Sequence, residues 1–470
     1  MRVMLMMAAA LAVTTSAAAQ DVRRLGADAR QAVSITVYNQ NFGLVREIRS
    51  APLARGRTAL EFRDVASQIE PYTVSVRGLD GGRLRVLEQN YRYDLLSPEQ
   101  LLRKYVGRRI TIYRWNNVTG REEPFEAEVL SVNQGPVLRV GNEITYGIGG
   151  RMAFPEIPDN LIAEPSLVWL LDSDGGPRRL EVSYLTGGLN WRADYVFVVN
   201  DADTRGDLTG WVTLDNQSGT SFRDAQLKLV AGDVQRVRDD RRLRVGRDEV
   251  MRAVAAESPL MTEEGLFEYH LYTLERSTSI LNNEQKQVTL LEAPGVGLRK
   301  RLVLVGQPYY YRAQTGEVAS AQKVSVFLEF RNTEENALGL PLPMGTVRVY
   351  KADRSGAQQF IGEDRIDHTP RDELLRIKMG EAFDVVADRR QMEWRVTGSC
   401  ESTSAWTIEV RNRKDEAVEV DVMEPVGGDW TILDSSHRWE RVDARTFRVP
   451  VQVAARGTTT VTYRVRVKWC

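Results

Sequence analysis

The sequence predicts a mainly β protein of tandem immunoglobulin-like β-sandwich domains with one small SH3-like barrel module. Apolar and polar residues alternate with a period of two along much of the chain, for example at Val33, Ile35 and Val37, which is typical of half-buried strands. Clusters of Gly, Asp and Asn separate these runs, as turn residues do. The 470 residues are too many for a single hydrophobic core, so about three domains are expected.

The chain begins with a segment that has the features of a secretory signal peptide. Met1 and Arg2 form a short basic start, residues 3–13 are apolar, and small residues at 17–19 precede Gln20. The apolar run is well short of the ~20 residues that span a bilayer. We therefore expect residues 1–19 to be removed and the product to be exported, whether periplasmic, associated with the outer envelope or secreted, with no transmembrane segment.

An N-terminal β region is predicted over 30–96, with a turn at Arg55-Gly56 between two of its strands. A small barrel is predicted over 97–158. There Ser97 has the position of a helix cap, Pro98 that of a first helical residue and Gln100 that of a capping-box partner. Short alternating runs between 110 and 154 then predict a compact barrel behind this helix.

A central β-sandwich is predicted over 162–330. In the stretch SYLTGGLNWRADYVFVVN, spacing by two places Trp191 and Tyr195 on one face. A buried face is the main interpretation, and a carbohydrate-binding platform that also uses Trp211 is the alternative. The alternation stops over 233–265, which predicts a mobile insertion.

A C-terminal immunoglobulin-like region is predicted over 331–470, where clean alternation returns. Its Cys400 and Cys470 are the chain's two cysteines. An even pair in an oxidising compartment is able to form a disulfide. From the sequence, a bridged and a free pair are equally expected.

The charge balance argues against a nucleic-acid partner. With 63 basic and 64 acidic residues the net charge is −1, which provides no broad positive field for phosphate backbones. No glycine-rich nucleotide-binding fingerprint, zinc-hydrolase motif or serine nucleophile elbow occurs in the sequence. No cofactor is therefore expected.

One polar cluster could hold a divalent cation. The stretch GEDRIDHTPRDE crowds carboxylates around one imidazole, and such groups are ligands for Ca²⁺ or Mn²⁺. The candidate ligands are Asp364, Asp367 and His368, with His270 from a distant stretch. The competing interpretation is a solvated loop with local ion pairs.

Seven stretches form a recognisable set: VYNQNFGLVREIR, VLEQNYRYDLLS, EVSYLTGGLNWRADYV, GWVTLDNQSGTSFRDAQLKLVAGDVQRV, FEYHLYTL, GEDRIDHTPRDE and RNRKDEAVEVDVMEP. Together they resemble the exported bacterial proteins built on domain of unknown function 4139, over nearly the whole chain after the signal. The family has no established activity, so the resemblance implies no catalytic residue, substrate or cofactor. Some mucoidy-inhibitor-like relatives carry a helical N-terminal half, whose place is taken here by the β region and barrel.

The expected function is that of a non-catalytic envelope or secreted protein that serves as a binding or scaffold surface. Its partner is unknown, with an envelope protein or a polysaccharide as candidates. Two alternatives stay open. One is a metal-dependent or carboxylate-based hydrolase acting on an envelope polymer, which needs only two suitably spaced carboxylates. The other is a carbohydrate-binding protein.

Overall fold

A computed structural model describes residues 22–158, 161–236 and 261–470, and the predicted signal peptide at 1–19 lies outside this part. The described chain is mainly β and forms several sheets, none of which closes on itself. No helix in the described part is long and apolar enough to cross a membrane.

The first third of the chain contains short and long strands around one α-helix. They are β1 Arg23–Leu25, β2 Arg30–Tyr38, β3 Phe42–Phe62, β4 Ser75–Gly78, β5 Leu84–Arg92, α1 Pro98–Lys104, β6 Arg109–Asn116, β7 Arg121–Ser131, β8 Val137–Val140, β9 Glu143–Tyr146 and β10 Arg151–Ala153.

In the described residues of the middle of the chain, the regular elements are strands and short 3-10 turns. The strands are β11 Ser166–Gly187, β12 Leu189–Val199, β13 Arg205–Asn216, β14 Phe222–Ala231, β15 Met261–Leu266, β16 Tyr269–Leu274, β17 Thr278–Ile280, β18 Glu284–Gly297, β19 Arg299–Val305, β20 Glu317–Arg331, β21 Gly345–Ala352 and β22 Gln358–Ile366.

The last strands are β23 Leu374–Val396, β24 Glu401–Asn412, β25 Val418–Pro425, β26 Asp429–Ser435, β27 Glu440–Arg441, β28 Thr446–Val453 and β29 Thr458–Lys468.

The first sheet has the strand order β15-β16-β14-β2-β3-β11-β4, with β1 beside β3, β17 beside β14 and β5 beside β11. It therefore draws strands from the predicted N-terminal and central regions, which share one sheet and one core. β3 and β11 pair antiparallel along nearly their whole lengths. The predicted domain boundaries stay predictions.

The second sheet has the order β10-β6-β7-β8-β9 and is open. The predicted helix precedes it: the Ser97 hydroxyl accepts a hydrogen bond from the Gln100 amide at 3.1 Å, which satisfies one of the orphan donors of the first turn. Behind the helix, Tyr105, Ile112 and Val129 are buried in a small core of their own.

The third sheet has the order β18-β13-β12-β21-β22. The chain passes from the first sheet to the third at Gly188, which has a φ of 75°. A Cβ there would lie 2.7 Å from the Gln217 carbonyl oxygen, so the close approach requires glycine. Strands β21 and β22 lie in this sheet, although their residues fall within the predicted C-terminal region.

The fourth sheet has the order β26-β29-β24-β23-β20-β19-β25-β28-β27 and surrounds a separate core that includes Trp406 and Trp430. A disulfide joins Cys400 and Cys470, whose Cα atoms are 5.9 Å apart. It ties the end of the chain to the start of β24.

Two predicted breaks in the strands differ from the structure. Arg55-Gly56 is not a turn between strands, because β3 continues through it opposite Ser173 and Asp174 of β11. Gly56 takes a φ of 89° there. This glycine is therefore an irregularity within strand β3, where the sequence predicted that the strand would end. The predicted insertion at 233–265 is too long, since its last residues belong to β15; residues 237–260 lie outside the described part.

Candidate functional site

The aromatic residues of β12 are packed inside the protein. Trp191 is 3% exposed, and its Nε1 donates to the Val230 carbonyl oxygen at 3.2 Å. Tyr195 is fully buried, and its hydroxyl donates to the Pro343 carbonyl oxygen at 2.8 Å. Trp211 is half-buried on the neighbouring β13. Trp191 and Tyr195 thus have no free ring face on which a sugar could stack.

The stretches that contain the two candidate metal-ligand histidines meet, because Glu263 contacts both His270 and Arg371. The His270 Nδ1 is 2.8 Å from a Glu263 carboxylate oxygen, and the other oxygen of Glu263 is 3.7 Å from Arg371. The His368 Nδ1 accepts a hydrogen bond from the Met344 amide at 3.2 Å. Burial lowers the pKa of His368, and the nearby charge of His270 lowers it further.

The candidate carboxylates do not complete a metal site where these stretches meet. Asp364 accepts a hydrogen bond from the Lys378 amide at 2.6 Å, and Asp367 is exposed. Within 22–158, 161–236 and 261–470, no three side chains of His, Cys, Asp or Glu are grouped so as to hold a metal ion. Glu263, which was not among the candidate ligands, is the carboxylate that contacts His270.

A polar row crosses the outer face of the first sheet. The register places five outward residues side by side on five adjacent strands: Gln226 on β14, Ser34 on β2, Arg46 on β3, Ser183 on β11 and Ser75 on β4. The alternate residues of these strands point inward into the apolar core. The row is therefore the solvent side of a sheet whose other side is packed.

This row lies in a shallow trough made of two depressions. The larger, of about 620 Å³, runs over β14, β2, β3 and β11, and the smaller, of about 220 Å³, runs over β3, β11 and β4. Both are lined by Arg46 and Glu181, which lie where they meet. Hereafter "the trough" means the polar row together with Glu181, Arg77, Lys228 and Asp224.

The charges in the trough are not balanced. Arg77 places Nε and Nη2 each 2.7 Å from one oxygen of Glu181. The Arg46 Nε is 4.0 Å from the same oxygen, beyond hydrogen-bonding distance. Two guanidinium groups therefore share one carboxylate, and Arg46, whose side chain is 53% exposed, is left facing water.

The wall of the larger depression contains an aromatic residue. The Tyr38 ring stacks on Phe42 with centroids 4.2 Å apart, and burial raises the pKa of its hydroxyl. Tyr38 thus stays neutral at physiological pH. It adds a hydroxyl-bearing ring to one end of the trough.

The sequence did not predict this trough. Its outward residues belong to strands as distant along the chain as β2 and β14, so their adjacency depends on register. The available signal was the polar half of each alternating run, such as Ser34 and Thr36 in β2. That signal marks a solvent-facing side without showing which strands lie next to each other.

A separate depression, of about 710 Å³, is mainly apolar. It lies between α1 and the second sheet. Among its lining residues are Leu102, Val132, Pro136, Met152 and Phe154.

Comparisons of the chain with known protein families and with curated proteins find no match. The trough is therefore interpreted from its own chemistry.

Proposed function

We propose that this protein is a non-catalytic binding or scaffold protein of the cell envelope or the secreted space, and that the trough is its binding surface. The observation that carries the proposal is the polar row that crosses five adjacent strands. Neighbouring strands lie about 4.8 Å apart, so the row spans roughly 19 Å. A row of that length fits an extended partner better than a small compact one.

The trough presents side chains and not backbone groups. Strands β2, β3 and β11 each have neighbours on both sides, so their backbone donors and acceptors are used within the sheet. Apolar side chains such as Leu44 and Ile48 also line the larger depression. The row itself offers a partner hydroxyl, amide and guanidinium groups at regular spacing. These groups bond to a partner that itself carries polar groups along its length.

A screen of immobilised glycans and extended peptides tests the proposal. Ser34→Tyr places a large ring within the row, beside Arg46, and we expect it to weaken retention of the bound probe by about tenfold or more, equivalent to 1.4 kcal/mol or more. Thr407→Tyr is the matched control, since Thr407 is likewise a half-buried strand residue, in β24 of the fourth sheet. Equal retention of the same probe by the unchanged chain and both variants would place binding elsewhere and contradict the proposal.

We also infer that the chain belongs to the exported proteins built on domain of unknown function 4139. We infer further that its sheets form immunoglobulin-like and SH3-like modules. The seven quoted stretches support the family and the export. The disulfide is of the kind found in oxidising compartments. The separate core of the fourth sheet supports a sandwich, and α1 beside the second sheet supports an SH3-like module. The hydrolase alternative stays a prediction.

A further inference from the structure

We infer that the trough binds an extended glycan that carries carboxylate groups. The inference rests on the proposed function, because it names the class of partner for the same trough. Three observations support it: the excess of positive charge in the trough, its position on the face of the sheet and not at an edge, and the hydroxyl and amide groups of the polar row.

The charges point to an anionic partner. Arg77 already holds Glu181, and Arg46 lies 4.0 Å from the same carboxylate oxygen. Lys228 also lines the trough and has no ion pair or hydrogen bond from its side chain to another described residue. Both cations are therefore available to a ligand, and a guanidinium forms strong paired hydrogen bonds with a carboxylate.

The two available cations are separated across the sheet. Lys228 pairs with Thr36, and Thr36 pairs with Leu44, two residues before Arg46. Two strand spacings and two residues along the strand give roughly 12 Å between their Cα atoms. A polymer with a carboxylate on every second sugar can place its charges near both cations. A polymer with a carboxylate on every unit would also place charges near the carboxylates of Glu181 and Asp224, which would repel them.

The shape of the surface favours a glycan over a peptide. Extended peptides add to the edge of a sheet, where backbone groups are unpaired. The trough lies on a face, and its row offers the hydroxyls of Ser34, Ser75 and Ser183 and the amide of Gln226. Hydroxyl groups along a polysaccharide are both donors and acceptors, so they match such side chains.

The test is affinity electrophoresis of the full purified chain in native gels that contain one soluble polymer each. The probes are hyaluronan, which has a carboxylate on every second sugar, its carboxyl-reduced neutral form, and polyglutamate as an acidic peptide. We expect hyaluronan to retard the chain most strongly. The retardation should decrease as salt is added, because ionic contacts with exposed cations are screened.

The matched variants are Arg46→Gln and Arg192→Gln. Both arginine side chains are 53% exposed and lie beside one carboxylate, Glu181 for Arg46 and Asp194 for Arg192, but Arg192 lies on the third sheet. Arg46→Gln should weaken hyaluronan binding by about tenfold or more, and Arg192→Gln should leave it unchanged. Thermal unfolding of both variants checks that the fold is intact.

The outcomes separate this inference from the proposed function. Equal binding of hyaluronan and its neutral form, with both lost in Ser34→Tyr, would overturn the carboxylate inference and leave the trough as the binding surface. Preference for polyglutamate, or no retardation by hyaluronan, would overturn the glycan class. Hyaluronan binding that neither Ser34→Tyr nor Arg46→Gln weakens would overturn both the inference and the proposed function.

Discussion

The two faces of the first sheet each place one carboxylate between two arginines, and they differ in burial. On the inner face, Glu47 and Arg49 are fully buried, and the Arg30 side chain is 11% exposed. Arg49 donates from Nε and Nη2 to one oxygen of Glu47 at 2.9 and 2.6 Å. Arg30 donates from Nε to the same oxygen at 3.0 Å.

Backbone groups and an aromatic ring accommodate the remaining positive charge of this inner cluster. The Arg49 Nη1 donates to the carbonyl oxygens of Leu25 at 3.0 Å and Arg63 at 2.7 Å. The Arg49 Cζ lies 3.7 Å from the centroid of the Phe62 ring, as in a cation–π contact. Every guanidinium nitrogen of Arg49 therefore has a partner, as a buried charge requires.

The outer cluster has the same composition and lacks this complete pairing. Arg77 is held by Glu181, while Arg46 is exposed and beyond hydrogen-bonding distance of that carboxylate. Water solvates an exposed guanidinium at no cost in stability, so the sheet needs no internal partner for it. The same combination of one carboxylate and two arginines is therefore fully paired where it is buried, and leaves a guanidinium accessible to a ligand where it is exposed.

The largest expected effect comes from breaking the inner cluster. Glu47→Gln removes the negative charge between the fully buried guanidinium of Arg49 and the largely buried one of Arg30, and we expect the free energy of unfolding to fall by about 3 to 5 kcal/mol. Urea unfolding of the purified chain measures this change. A loss below about 1 kcal/mol would mean that burial does not separate the two clusters as argued.

The core of the fourth sheet contains a second buried charge cluster, with one guanidinium instead of two. Glu424 is fully buried, pairs with Arg389 and accepts a hydrogen bond from the Tyr311 hydroxyl at 2.6 Å. We expect Glu424→Gln to lower the free energy of unfolding by about 3 kcal/mol, less than Glu47→Gln, since only one guanidinium loses its counterion.

A double variant checks the cause of that loss. Arg389→Met with Glu424→Leu removes both charges, so it should be less destabilising than Glu424→Gln alone. If the double variant is clearly the less stable of the two, the destabilisation comes from lost packing and not from an unpaired buried charge.

The sequence predicted which apolar residues are buried, but it did not predict that charged residues are buried beside them. Val33, Ile35 and Val37 are buried, as their alternation indicated. Glu47 is buried as well, while Ile48 beside it lines the larger depression on the outer face. At these two positions the charged side chain points inward and the apolar one points outward. Glu47 is stable inside because its ion-pair partners lie within the core.

The sequence could not predict the trough or the contacts around His270 and His368, and the reason is a different one. Both depend on contacts between segments that are distant along the chain, such as Ser34 beside Gln226 or Glu263 beside Arg371. Alternation fixes which side of a strand is polar, but register and strand order decide what lies next to it. The candidate ligand Asp364 lies in β22, where its carboxylate oxygens accept hydrogen bonds from the Arg365 and Lys378 amides.

A smaller effect is expected from the titration of His368. Burial lowers its pKa below the usual value of 6.5, so the unfolded chain binds this proton more readily than the folded one. Stability from this group is complete above pH 6.5 and is lost as the pH falls through the lowered pKa. The neighbouring His270 reinforces the shift, and Asp233 and Asp367 oppose it.

Urea unfolding at a series of pH values from 7 to 5 measures this dependence. His368→Gln retains a polar side chain without the titration, so the decline in unfolding free energy toward pH 5 should be shallower than in the unchanged chain. A decline of the same steepness in both would assign the pH dependence to other groups.

The smallest expected change in stability comes from the outer cluster. Glu181→Gln removes the counterpart of Glu47, but Arg46 and Arg77 are more than half exposed, so the free energy of unfolding should change by less than about 1 kcal/mol. The same substitution removes a negative charge from the trough, and hyaluronan binding should therefore become tighter. A loss of stability as large as that of Glu47→Gln would show that the outer cluster holds the sheet together, and the distinction between a buried and an exposed cluster would fail.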